Sequence, residues 1–134
     1  MLSNKHILKM KQQITDRYYL IFVLPIQIDE INFDYFMAID WANSNTNSKN
    51  VLSISLDDVY LINDKILTII NEENDSMIGP FEDGFVISNE VKGSILQKLK
   101  NINFSNKKEH EINKEITRLI ELAIEIDHLI YFVF

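Results

Sequence analysis

The spacing of apolar residues has a period of two or less in the first two thirds of the chain. Six segments have the alternating or continuously apolar pattern of strands: residues 17–28, 33–41, 51–56, 59–62, 65–70 and 85–87, of which 59–62 and 65–70 form a pair. The first is apolar on both faces, which predicts a central strand that ends near Pro25. Asn63 and Asp64 separate the paired segments and predict a tight hairpin turn.

From Asn89 onward the period becomes 3.6, which is typical of helices. Helices are predicted from Asn89 to about residue 102 and over residues 107–126, with Asn106 as the cap of the second. A short helix is also predicted over residues 4–14. The last segment, residues 129–134, is apolar on both faces, so we expect it to enter the sheet or to pair with another subunit.

Together these elements predict one α+β domain that spans residues 1–134. Its sheet is expected to be predominantly antiparallel, with helices packed on one face. Residues 43–50 and 71–84 are polar and are predicted to be loops. The order of the strands does not follow from the sequence.

Charge is concentrated in the middle of the chain. Residues 29–90 contain thirteen acidic residues and two basic ones, so this stretch has a net charge of −11, and the whole chain has −7. A surface with this charge repels phosphates and attracts basic proteins through long-range electrostatics. A solvated surface that only maintains solubility is the alternative.

Several kinds of site are not predicted. The chain has no cysteine, which excludes disulfides, thiolate nucleophiles and cysteine-ligated zinc. Residues 71–82 have the length of a calcium loop, but Ser76 stands where that loop needs glycine and Pro80 interrupts it. His6, His110 and His128 lack the spacing of zinc ligands. We therefore predict no metal and no cofactor.

Catalysis and membrane insertion are not predicted either. The sequence has no glycine-rich phosphate loop and no nucleophile elbow, so an enzyme is not expected. The first residues lack the apolar core and cleavage site of a secretory signal, and the longest apolar run is shorter than the roughly 20 residues that span a bilayer. The expected location is the cytoplasm.

A partner-binding surface is predicted from acids with aromatic residues among them. Aromatic side chains in such a surface serve as anchors, although a single Trp at the end of a strand more commonly caps the core. The predicted partner-binding residues are Trp41, Asp57, Asp58, Tyr60, Asp64, Glu72, Glu73, Asp75, Phe81, Glu82 and Asp83.

A small, acidic, cysteine-free α+β domain without a catalytic motif resembles the immunity proteins of bacterial polymorphic-toxin and contact-dependent inhibition systems. The resemblance is to the profile of a class and includes no shared motif. It implies an inhibitor that binds and neutralises a cognate toxin, such as a basic nuclease domain, because nuclease sites are positively charged.

Two alternatives remain at this stage. The first is a phage or regulatory binding protein that mimics the charge of nucleic acid, which needs carboxylates spaced like phosphates over a long surface. The second is a structural subunit that self-associates through the apolar segment 129–134. Embedded aromatic residues favour the toxin inhibitor over the mimic.

Overall fold

The computed structural model describes residues 19–134, so the helix predicted over residues 4–14 lies outside the described residues. Its sheet has four strands in the order β2-β1-β4-β3, and every neighbouring pair is antiparallel. The strands are β1 (Tyr19–Phe22), β2 (Val51–Ile54), β3 (Gly84–Val86) and β4 (Ile130–Val133). The predicted α+β fold with an antiparallel sheet is confirmed.

The helices are α1 (Tyr35–Ser44), α2 (Leu56–Ile62), α3 (Thr68–Asn74), α4 (Asn89–Lys100) and α5 (Lys107–Ile126). A π-helical segment, Asn63–Leu67, joins α2 to α3, and a 3₁₀ turn covers Glu30–Asn32. No helix within residues 19–134 is both long and apolar enough to cross a lipid bilayer.

Two hydrophobic cores lie on opposite faces of the sheet. The larger core combines one set of strand side chains, such as Ile21 and Phe132, with helices α2 to α5. The smaller core combines the alternate set, such as Phe22 and Tyr131, with α1. Helices therefore cover both faces of the sheet, so the prediction that they pack on one face is wrong. Because side chains alternate across a strand, apolar residues on both faces of β1 and β4 serve both cores. The sequence prediction for these two segments is therefore confirmed.

Helix α5 has the predicted bounds, and its cap is the predicted one. The Asn106 side chain accepts a hydrogen bond from the Glu109 backbone N–H at 3.0 Å. Ile116 and Ile120 on its apolar stripe are buried in the larger core. Helix α4 and strand β3 are also confirmed.

The strand predicted over residues 33–41 is wrong, because most of this segment belongs to helix α1. Asp34 caps the helix by accepting a hydrogen bond from the Met37 backbone N–H at 2.8 Å. Ala38 and Ala42, one helical turn apart, are fully buried. The segment is apolar at most positions, so the period of two that was inferred from it did not discriminate between strand and helix.

The hairpin predicted over residues 59–70 is also wrong. The segment is helical throughout, and Asn63 and Asp64 lie in its π-helical part. Ser55 and Asp58 form a capping box at its start. The buried residues recur at helical spacing: Val59, Ile62, Ile66 and Ile70. The predicted loop at 71–84 therefore begins only after α3 ends at Asn74.

Strand β4 lies inside the sheet, paired with β1 on one side and β3 on the other. Residues 130–134 are all buried in their own chain. Both edges of β4 are already paired within the chain, so the segment 129–134 has no free strand edge to offer another subunit. The alternative of self-association by strand pairing through this segment is therefore wrong.

Candidate functional site

The sheet divides the acidic stretch between its two faces. Helix α1, with Asp34 and Asp40, covers the smaller core, whereas α2 and α3, with Asp57 to Glu73, cover the larger one. The predicted partner-binding residues therefore do not form one patch. They are divided between two surfaces, one on each side of the sheet.

The first surface, which we call the acidic row, lies along the outward side of the helical segment that contains α2 and α3. It consists of Asp57, Asp64, Glu72 and Asp75, all of which are exposed. Within residues 19–134, none of their side chains makes an ion pair or a side-chain hydrogen bond. Glu72 acts on Lys98 only through its Coulomb attraction, so all four carboxylates remain free to contact a basic side chain of another molecule.

The opposite side of this helical segment fixes the direction of the row. Val59, Ile62, Ile66 and Ile70 are buried in the larger core, so the helix cannot rotate without exposing them. Asp75 ends the segment with φ of 50°, in the left-handed region. Tyr60, which is 53% exposed, stands on the same segment as the row.

Two of the predicted acids on this segment have structural partners. Asp58 accepts a hydrogen bond from the Ser55 backbone N–H at 3.2 Å as part of the capping box. Glu73 forms an ion pair with Lys98 of α4. The hydrogen bond to Glu73 raises the pKa of Lys98, and the Coulomb attraction of Glu73 acts in the same direction. These two carboxylates therefore hold the segment in place.

The second surface, which we call the aromatic face, lies over the smaller core. Four rings follow one another in contact order: Phe36, Tyr35, Tyr131 and Phe85, with centroid distances of 6.0, 6.5 and 6.2 Å. Phe36 is 76% exposed and Phe85 is 41% exposed. The face thus reaches from a buried ring stack to solvent at both ends.

Carboxylates on the aromatic face are used within the chain. Asp83 accepts hydrogen bonds from the Tyr35 hydroxyl and from the Phe134 backbone N–H, both at 2.7 Å. Burial and the bond to Asp83 hold the pKa of Tyr35 well above its usual value. Burial also raises the pKa of Tyr131 to about 12, and the charge of Glu30 adds to this effect. Asp83, which directly precedes β3, therefore links α1 to the end of β4.

The remaining predicted anchors differ in exposure. Trp41 is half-buried and packs against the smaller core, with its ring centroid 6.5 Å from that of Phe22. Phe81 is 67% exposed and has φ of 66° within a tight turn that is closed by hydrogen bonds between Gly79 and Glu82. Glu82 is exposed beside it. The structure thus places Trp41 in a core position and Phe81 at the surface.

Phe36 and Met37 were missed by the sequence prediction, since a strand over residues 33–41 places them on opposite faces. The signal that identifies them is the pair Ala38 and Ala42. A helix that buries two alanines and begins at Asp34 must direct Phe36 toward solvent.

Two of the residues in the segments that were considered for metal binding, Asn71 and His128, have structural roles. Asn71 accepts hydrogen bonds from the Ser76 hydroxyl and the Ile78 backbone N–H, both at 2.8 Å, which closes the turn after α3. His128 Nδ1 lies 2.7 Å from the Leu24 carbonyl oxygen and 3.7 Å from a Glu30 oxygen. No group of three or more potential ligands is placed to hold a metal within residues 19–134.

Lys92 is a buried cation whose needs are met inside the chain. Its ammonium group donates hydrogen bonds to the His128 carbonyl at 2.5 Å and to Asn89 Oδ1 at 3.1 Å. Burial lowers its pKa, against the opposing charges of Asp127 and Glu30. The ammonium group therefore links α4 to the segment before β4, and its role is structural.

The fold is similar to a solved structure, that of the Neisseria DNA mimic protein DMP12. The two chains superpose with a TM-score of 0.72 and are 27% identical, and the match covers 88% of this chain and 100% of the other. No protein-family model matches the sequence, and no curated protein matches it.

Proposed function

We propose that this chain is a DNA mimic, an acidic protein that occupies the DNA-binding surface of a basic protein. The observation that carries the proposal is the similarity to the Neisseria DNA mimic protein DMP12, which extends over the whole of that chain at 27% identity. The comparison favours the nucleic-acid mimic over the toxin inhibitor. Toxin immunity stays a prediction of the sequence.

The acidic row supplies the chemistry that mimicry needs. A DNA-binding surface is lined by Lys and Arg that neutralise phosphates, and a mimic must present carboxylates that are not already neutralised. Asp57, Asp64, Glu72 and Asp75 meet this condition, because each is exposed and without an ion pair within the described residues.

The spacing along the row supports the same proposal. Asp64 and Glu72 are separated by at most about 12 Å along the helix axis, because an α-helix rises about 1.5 Å per residue and the π-helical part that contains Asp64 rises less. The major groove of DNA is about 12 Å wide. Basic side chains that contact phosphates on the two sides of this groove would therefore find the Asp64 and Glu72 carboxylates at a separation similar to that of the phosphates.

The test is mutual exclusion with DNA. Purified DNA-binding proteins encoded by the same organism are each bound to a fluorescein-labelled 20-base-pair duplex, and the full chain is titrated in. We expect the chain to displace the duplex from at least one of them and to form a complex with that protein. Failure to displace DNA from any member of the panel, or a complex in which duplex and chain are bound together, would contradict mimicry.

A further inference from the structure

Helix α1 directs two of its large apolar side chains, Phe36 and Met37, outward, whereas Tyr35, Ile39 and Trp41 pack against the smaller core. Its fully buried residues are Ala38 and Ala42, whereas Phe36 is largely exposed and Met37 is 43% exposed. A surface helix normally buries its large apolar residues and exposes polar ones. Packing of α1 on the smaller core therefore does not explain why large apolar side chains stand at positions 36 and 37.

The exposed rings Phe36 and Phe85 are the two ends of one chain of aromatic contacts. Phe36 contacts Tyr35, Tyr35 contacts Tyr131, and Tyr131 contacts Phe85 on the edge strand β3. Tyr131 in this chain is buried and Tyr35 is half-buried, so the exposed apolar area consists of Phe36 with its neighbour Met37 at one end and Phe85 at the other. Exposed apolar residues that lie next to one another mark interaction sites. Aromatic residues are also enriched among those that dominate binding energy.

Charge identifies the kind of occupant. Residues 29–48 and 76–88, which surround the aromatic face, contain no Lys or Arg, and Asp34, Asp40 and Asp83 lie among them. A second copy of the chain, a nucleic acid or an anionic lipid surface would bring further negative charge against it. A basic protein complements it.

The aromatic face and the acidic row meet at one edge of the sheet. The Asn74 side chain, at the end of α3, donates a hydrogen bond to the Phe85 carbonyl at 3.0 Å. The row ends at the next residue, Asp75. A partner that lies across the β3 edge would therefore contact the end of the row on one side and Phe85 on the other.

We infer that the aromatic face is a docking surface for a basic protein and slows its dissociation after the acidic row has attracted it. The inference rests on the proposed function, since the occupant is the same DNA-binding partner. Charges at the rim govern the association rate, whereas buried aromatic anchors govern the dissociation rate.

The test uses the immobilised full chain and a nuclease-treated extract of the organism that encodes it. The double variant Phe36→Ala with Phe85→Ala is compared with wild type and with Ile26→Ala, a matched control that removes an exposed apolar side chain beside Ile126 and His128. We expect wild type and the control to capture a basic protein. The double variant should release that protein at least tenfold faster.

The outcomes separate this inference from mimicry. If duplex DNA displaces the captured protein but the double variant releases it at the wild-type rate, docking on the aromatic face is overturned and mimicry stands. If the double variant releases it faster but DNA does not displace it, docking is supported and mimicry fails. Capture of no basic protein by wild type overturns the docking surface.

Discussion

The acidic row and the aromatic face come from one acidic stretch of sequence, yet their carboxylates have different roles. On the aromatic face Asp34 caps a helix and Asp83 joins two segments, so these charges stabilise the fold. In the row Asp64 and Glu72 have no such partners within the described residues. A carboxylate that contributes nothing to its own fold, close to others of like charge, is a candidate for binding another molecule.

We expect the acidic row and the aromatic face to unfold in one cooperative transition. The substitution Ile120→Asp tests this, and it should have the largest effect on stability of the substitutions considered. Ile120 is buried in the larger core, so an unpaired carboxylate there should lower the free energy of unfolding by about 3–5 kcal/mol. Urea unfolding is followed by circular dichroism and by fluorescence of Trp41, which lies in the smaller core. The two transitions should coincide.

An Ile120→Asp variant as stable as the wild type would contradict the packing of α5. Separate transitions for the two probes would instead show that the aromatic face is an independent unit. Glu125→Ala, on the exposed side of the same helix, serves as the control and should leave stability within about 0.5 kcal/mol.

Asp83→Ala tests whether the carboxylates on the aromatic face are structural. It removes the acceptor for the Tyr35 hydroxyl and the Phe134 backbone N–H, which should cost about 1–2 kcal/mol because both bonds are partly exposed to solvent. The matched control is Glu82→Ala, the neighbouring exposed acid. Equal effects of the two substitutions in urea unfolding would show that Asp83 has no special role.

Neutralising the row should have the smallest effect on stability. Asp64→Asn combined with Glu72→Gln removes two charges without a hydrogen bond or ion pair, of which only Glu72 has a Coulomb interaction with exposed Lys98, so the free energy of unfolding should stay within about 0.5 kcal/mol. Urea unfolding at low salt provides the measurement. A loss of more than 1 kcal/mol, which exceeds what an unpartnered surface acid contributes, would place these residues among the structural ones.

Prediction from sequence succeeded where one pattern excluded the others. Helix α5 repeats its apolar stripe over 20 residues behind an Asn cap, and no strand can do this. The segments at 33–41 and 59–70 were misassigned because short apolar runs fit either period. In the second segment the capping signal of Ser55 and Asp58 was present and outweighed by the turn propensity of Asn63 and Asp64.

The candidate site was predictable only in part, for a physical reason. Exposure of Asp57, Asp64, Glu72 and Asp75 follows from their chemistry, and they lie at the surface. The division of the acids between two faces depends on which helices cover which side of the sheet. That arrangement is set by contacts between residues far apart in sequence, such as Tyr35 with Asp83.

The central claim is that the row, rather than the net charge of the chain, attracts the partner. Its most direct test is the association rate with the DNA-binding partner for two variants of equal charge. Asp64→Lys with Glu72→Lys reverses the row, and Glu111→Lys with Glu125→Lys reverses two exposed acids of α5. At low salt the row variant should associate several-fold more slowly and the α5 variant nearly as fast as wild type. The difference should shrink as the Debye length falls to about 8 Å at physiological salt. Equal slowing of both variants, or of neither, would contradict the account.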